Sequence, residues 1–136
     1  MQEKSIENLK ENIAKVLEEE EEVLFAYIFG SFVRGDAIGS SDIDIAVFLS
    51  PESHATFFEK RLELMEKLTR GLRRDADVII LNTSSPFLRY AVLKEGILTV
   101  NQDSKARLEF ELRTMNEYFD YKPILKLYRE RLGVDA

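Results

Sequence analysis

The 136-residue chain has no cysteine, a single histidine and three prolines. Without cysteine there are no disulfides, no thiolate nucleophile and no zinc or iron–sulfur site built on sulfur. With His54 alone there is no histidine-rich metal site and no obvious Ser-His-Asp triad. No apolar run approaches the roughly 20 residues of a membrane-spanning helix. The opening MQEKSIENLK is polar and mixed in charge, unlike a secretory signal. Basic excess is missing too: 25 acids against 19 Lys and Arg give a net charge of −6. That balance argues against a phosphate-backbone footprint, which needs clustered Lys or Arg. These absences lead us to expect a cytoplasmic protein with no membrane contact and no direct nucleic-acid binding.

What is present alternates between two periodicities. Ile6, Leu9, Ile13 and Val16 recur at helical spacing, predicting a helix over 2–22 that the acidic run Glu18 to Glu22 ends as a solvated tip. Val23 to Phe29 is apolar and β-branched and reads as a strand. A Gly- and Ser-rich loop over 35–41 leads to a second strand, Asp42 to Leu49. Pro51 and Ser53 open a helix to about Leu72, with Phe57, Phe58, Leu62, Met65 and Leu68 on one face and Gly71 as its stop. Asp75 to Leu81 is a third strand. Ser85 caps a short helix that begins at Pro86 and ends at Gly96. Ile97 to Asn101 is a fourth strand. A helix follows over 103–119, its stripe Leu108, Leu112, Met115, Phe119 assigned to the core, and a last short helix starts at Pro123. The expected fold class is α+β (mixed α/β), a small mixed β-sheet flanked by helices. One domain is expected over 1–136, with its core at about 5–119 and a helical extension over 120–136.

Chemistry concentrates in GSFVRGDAIGSSDIDIAVFLS, residues 30–50. Side chains two apart on a strand share a face, so Asp42 and Asp44 point together, opposite Ile43, Ile45 and Val47. Two adjacent carboxylates repel, and a divalent cation relieves that repulsion. Mg²⁺ suits one or two carboxylates and completes its shell with water and substrate phosphates. The third strand adds Asp75 and Asp77, again on a shared face. Three carboxylates can hold two metal ions about 3.5–4 Å apart, the arrangement for in-line phosphoryl or nucleotidyl transfer. Gly30 permits close backbone approach to a ligand, and Ser31 can cap a turn whose free N–H groups receive phosphate. Arg34 lies one turn on, able to steady a phosphate. Gly30 and Gly35 have P-loop spacing, but Asp36 stands where that motif needs lysine.

Taken together, Gly30-Ser31, Arg34-Gly35, Ser41-Asp42 and Asp44 resemble the signature of the polymerase-β-type nucleotidyltransferase superfamily. The DADVIILN strand and FLRYAVLKEGILTV are similar to its minimal members, the MNT-domain proteins. The Gly-Ser-x10-Asp-x-Asp spacing resembles MntA-type antitoxins that pair with HEPN-domain toxins. The resemblance covers roughly residues 5–119. It implies a polymerase-β-like fold, ATP as substrate and two Mg²⁺ ions. Gly30, Ser31 and Arg34 would bind nucleotide along with Asp42 and Asp44. Asp42, Asp44 and a third acid would hold metal and serve catalysis. The family's third Asp precedes an apolar pair, which selects Asp77 over Asp75, and such an Asp can also act as general base on the acceptor hydroxyl.

The resemblance further implies transfer of AMP from ATP to a tyrosine of a HEPN ribonuclease, a protein acceptor. Two alternatives stand beside this: a nucleotide-binding antitoxin that acts by contact only, and a nucleotidyltransferase acting on a small molecule or RNA. Lys60-Arg61 and Arg70, Arg73, Arg74 either face a partner or nucleotide or form solvated helix faces, the reading favoured here. Partner docking and packing are evenly matched for Tyr121, Ile124, Leu127 and Tyr128.

Overall fold

The computed structural model describes residues 2–30, 33, 42–52 and 56–133. Helix α1 (Gln2–Leu17) leads to strand β1 (Val23–Phe29), then β2 (Ile43–Leu49), α2 (Phe57–Leu72) and β3 (Ala76–Ile80). A 3-10 turn (Leu81–Thr83), α3 (Pro86–Glu95), β4 (Ile97–Asn101) and α4 (Ser104–Arg131) complete the chain. The four strands form one mixed sheet in the order β3-β2-β1-β4. β1 runs antiparallel to β2 and to β4, while β2 and β3 are parallel. A parallel pair needs a crossover connection, and α2 supplies it.

Burial alternates along β3 and, apart from buried Ala46, along β2, as the sequence pattern predicts. One face of the sheet carries Ala26, Ile28, Ile43, Ile45, Val47 and Val78, and these pack on Ile13 and Leu17 of α1 and Leu64 and Leu68 of α2. The other face carries Phe25, Tyr27 and Ala46 against Val92 of α3 and Phe110 of α4. Phe25 and Phe48 stack there with centroids 4.9 Å apart, and Phe110 lies 5.3 Å from each. Tyr27 donates its hydroxyl to Glu111 Oε1 at 2.8 Å, tying α4 to the central strand. Burial, reinforced by that bond, raises the Tyr27 pKa well above the ordinary phenol value. Asn82 fastens the end of the parallel pair: its side chain accepts from Leu49 N at 2.8 Å and donates to Leu49 O at 2.9 Å.

Several expectations change. α1 stops at Leu17, five residues early. A run of glutamates is disfavoured at a helix C-terminus, where the dipole is negative. Glu20 is no solvated tip. It accepts from Lys60 Nζ at 2.9 Å and from Lys67 Nζ. Lys60 is 5% exposed and also lies 3.4 Å from Glu22 and 3.6 Å from Glu63. The Lys60 position is therefore a buried ion cluster joining the α1–β1 turn to α2, not a solvated helix face. α2 starts after Thr56, whose Oγ1 accepts from Glu59 N at 3.1 Å, rather than at Pro51. Ser53 and His54 lie outside the described residues. The helix runs through Gly71 and closes on Arg73 in the left-handed region at φ 54°. Its core face uses Lys60, Leu64 and Leu68, whereas Phe58 and Leu62 are exposed.

The largest change concerns α4. It is one 28-residue helix with Pro123 inside, not two helices divided before Pro123. Proline removes one backbone donor and crowds the preceding turn, but no glycine or capping residue flanks it, so the helix carries on. The stripe assigned to the core is not buried: Leu108 is 51% exposed, Leu112 60% and Phe119 56%. The inward positions of this helix are Phe110 and Thr114. Tyr121, Ile124, Leu127, Tyr128 and Leu132 are exposed as well.

The ion cluster has a pH signature. Burial pushes the Glu20 carboxyl up, but hydrogen bonds from Lys67 and Lys60 outweigh it and hold the pKa below the ordinary carboxylate value. A depressed carboxylate stabilises the fold above its unfolded-state pKa, and that stability is lost as pH falls through the lower folded-state value. Glu20→Gln should therefore cost about 2 kcal/mol at neutral pH, below the full range for breaking a buried pair because Lys60 keeps Glu22 and Glu63. The wild-type advantage should shrink as pH falls below about 4.5. Urea denaturation of both proteins from pH 7 to pH 3 checks this; parallel stability curves would refute it.

Candidate active site

β2 lies between β1 and β3, and its second residue is Asp44. On one side Asp44 is in register with Phe29, the last residue of β1. On the other it is in register with Asp77 of β3. Because the β2–β3 pair is parallel and in register, the two carboxylates project from the same face of neighbouring strands, which run about 4.8 Å apart. That face is the one opposite Ile43, Ile45, Ala76 and Val78, as the alternation requires. Asp42 is exposed and stands just ahead of β2. Asp75, also exposed, precedes β3, and its carbonyl accepts from Ile43 N at 3.0 Å, extending the pairing towards the loop.

Gly30 closes the other wall. Its φ is +85°, a region side chains rarely adopt. A Cβ there would fall 2.3 Å from Asp44 Oδ2. The glycine is therefore required twice, by the turn at the end of β1 and by the carboxylate seated against its backbone. Ser31 and Arg34, expected to bind nucleotide, lie outside the described residues.

The third acid has a partner that the sequence did not announce. Arg61 of α2 donates from Nη2 to Asp77 Oδ1 at 3.0 Å and from Nε to Val78 O at 2.6 Å. Arg61 is thus no free cation of a solvated helix face. It wraps the exposed edge of β3 and lands on the acid face. Nothing in the sequence links positions 61 and 77, because the contact depends on how α2 crosses back over the strand it precedes.

Asp42, Asp44 and Asp77 are hard oxygen donors of the kind Mg²⁺ selects. Among the described residues no group of three or more His, Asp or Glu is gathered closely enough to hold a metal ion. Asp42 and Asp44 nevertheless fit the one or two carboxylates that Mg²⁺ takes alongside substrate phosphates, and the in-register Asp77 carries an arginine counter-ion. The donor set fits a divalent cation.

A strand ending in a positive-φ glycine thus lies beside an acidic strand, and a third acid stands in register on a parallel strand. The family model described as "Polymerase beta, Nucleotidyltransferase" matches residues 11–105, and the chain belongs to that family. It is homologous to the protein adenylyltransferase MntA of Shewanella oneidensis, 31% identical over 117 residues that span 85% of this chain and 75% of MntA. A chain from a crystal structure of a toxin–antitoxin with AMP-PNP superposes with a TM-score of 0.70 at 27% identity, covering 90% of this chain and 94% of that one. A chain from a structure of tri-AMPylated Shewanella oneidensis HEPN toxin in complex with MNT antitoxin gives 0.66 at 25% identity, covering 97% of this chain and 95% of that one. The polymerase-β-like fold expected from the sequence is the fold observed. No helix among the described residues is long and apolar enough to cross a membrane.

Gly30→Ala tests the glycine wall. The left-handed backbone alone should cost about 1–2 kcal/mol, and the methyl must displace the Asp44 carboxylate. Calorimetry should show ATP binding in the presence of Mg²⁺ weakened about tenfold or more, the effect of roughly 1.4 kcal/mol. Unchanged affinity would show that Asp44 does not contact the nucleotide complex.

Proposed function

We propose that the chain is an antitoxin that transfers AMP from ATP to a tyrosine of a partner HEPN ribonuclease and so silences it. The observation that carries this reading is the in-register pairing of Asp44 with Asp77 beside Gly30. Homology to MntA supports the adenylyl donor and the protein acceptor. The uncovered apolar stripe of α4, Leu108, Leu112, Met115 and Phe119, supports a macromolecular acceptor over a small one, since apolar surface of this extent marks interaction sites.

In this reading Gly30, Ser31 and Arg34 cradle the triphosphate. Asp42 and Asp44 would hold Mg²⁺, which when bound neutralises charge on the phosphates, with Asp77 as the third acid beside them. The tyrosine oxygen attacks the α-phosphorus of ATP. The bond from that phosphorus to the bridging oxygen of the β-phosphate breaks, and pyrophosphate leaves. The phenolic proton passes to the Asp77 carboxylate, so the products are AMP-tyrosine, pyrophosphate and one proton. Adding AMP places a bulky anion on the ribonuclease, where it repels RNA phosphate.

Co-expression with the cognate HEPN ribonuclease, followed by intact mass measurement of that partner, tests the proposal. Wild type should add one or more AMP units, and Asp42→Ala/Asp44→Ala should add none. A partner left unmodified yet neutralised equally by both would establish the contact-only antitoxin. The third acid has its own comparison. Asp77→Asn should slow transfer about a hundredfold or more, the scale for one major electrostatic element of a transition state. Asp75→Asn should do less, because Asp77 is the residue in register with Asp44. A larger loss from Asp75→Asn would reverse the assignment.

A further inference from the structure

We infer that Arg61 is a positioning residue for Asp77, holding the third acid at the place that nucleotidyl transfer requires; this rests on the proposed reaction. The geometry is specific. One guanidinium makes two bonds to successive residues of β3, Nε to Val78 O at 2.6 Å and Nη2 to Asp77 Oδ1 at 3.0 Å. The first bond uses a carbonyl that an edge strand leaves without a ladder partner. It fixes the plane of the fork, and the second bond then fixes the carboxylate.

Two physical demands make this a functional arrangement. Asp44 and Asp77 face the same way from adjacent strands in register, so their charges repel unless something offsets them. Arginine is always protonated, and its fork is rigid. It supplies a permanent offset that does not depend on a bound ion. The second demand is orientation. An acid that receives the acceptor proton must be preset, since misplacement by about 1 Å can cost a hundredfold in rate. Arg61 uses Oδ1, and Asp77 stays 39% exposed, so the carboxylate remains reachable from solvent. As a stabilising contact alone the pair is worth little: both side chains are more than a third exposed, and such pairs contribute about 0–1 kcal/mol.

The comparison is wild type against Arg61→Gln and Arg61→Lys. Thermal unfolding is measured for each, with Mn²⁺ affinity by electron paramagnetic resonance without nucleotide, and kcat and KM for ATP in AMP transfer to the co-purified HEPN ribonuclease. Arg61→Gln should keep a near-wild-type Tm and KM, lower kcat about 10–100-fold and weaken Mn²⁺ binding by a similar factor, the usual scale for partners of metal-ligating carboxylates. Arg61→Lys keeps the charge but cannot make both bonds, so it should recover part of the loss. A lower Tm with unchanged kcat and Mn²⁺ affinity would overturn the inference and leave Arg61 as a strap between α2 and β3. Should Arg61→Gln not fold, Arg61→Lys decides alone by the same readouts. Wild type that binds Mn²⁺ yet transfers no AMP would sink the adenylyl-transfer reading, and the Mn²⁺ comparison would then decide the role of Arg61 by itself. Wild type that binds no Mn²⁺ would overturn both.

Discussion

The parallel pairing of β2 with β3 is the constraint on which the rest of the structure depends. Every other strand contact is antiparallel. A parallel pair forces a crossover, and the crossover is α2. That helix in turn covers one face of the sheet with Leu64 and Leu68, carries Lys60 to Glu20, and delivers Arg61 around the edge of β3 to Asp77. The antiparallel β1–β2 pair then brings Gly30 onto Asp44. Core, ion cluster and acid site are three results of a single topological choice.

The ion cluster and the acid site use charge in opposite ways. Around Glu20 the carboxylate is enclosed by two lysines and held ionised by them, and the outcome is a fixed junction between a turn and a helix. Around Asp44 the acids sit at a strand end, where Arg61 bonds to Asp77.

Much of this was legible in the sequence. Alternation in DIDIAVFL and DADVIIL gave strands with acids on one face, and Ser85-Pro86 marked a helix start that the structure reproduces through Ser85 Oγ accepting from Leu88 N. The Gly30–Asp44 proximity follows from the antiparallel pairing that sets Asp44 opposite Phe29. What failed did so for identifiable reasons. Lys60 and Arg61 looked like surface cations because local sequence cannot show which acid folds back onto them. The stripe from Leu108 to Phe119 has the periodicity of a core face, but periodicity reports amphipathicity and not what covers it. Pro123 carried a start signal that the helix-forming residues around it overrode. Ser31 and Arg34 lie outside the described residues, so the phosphate side of the site rests on the sequence.

Asn82 lies at the other end of the sheet from the acids, where its two bonds to Leu49 pin the far end of β2 to the segment that follows β3. Strand registers slip in steps of two residues without disturbing which side chains face inward. A slip of that size would set Asp75, not Asp77, beside Asp44 and leave Arg61 on the wrong rung. The spacing of the acids is thus gauged from the opposite end of the ladder by an amide with no chemistry of its own. Tolerance to change at such a position is set by the accuracy of the strand register, not by the folding energy its two bonds contribute.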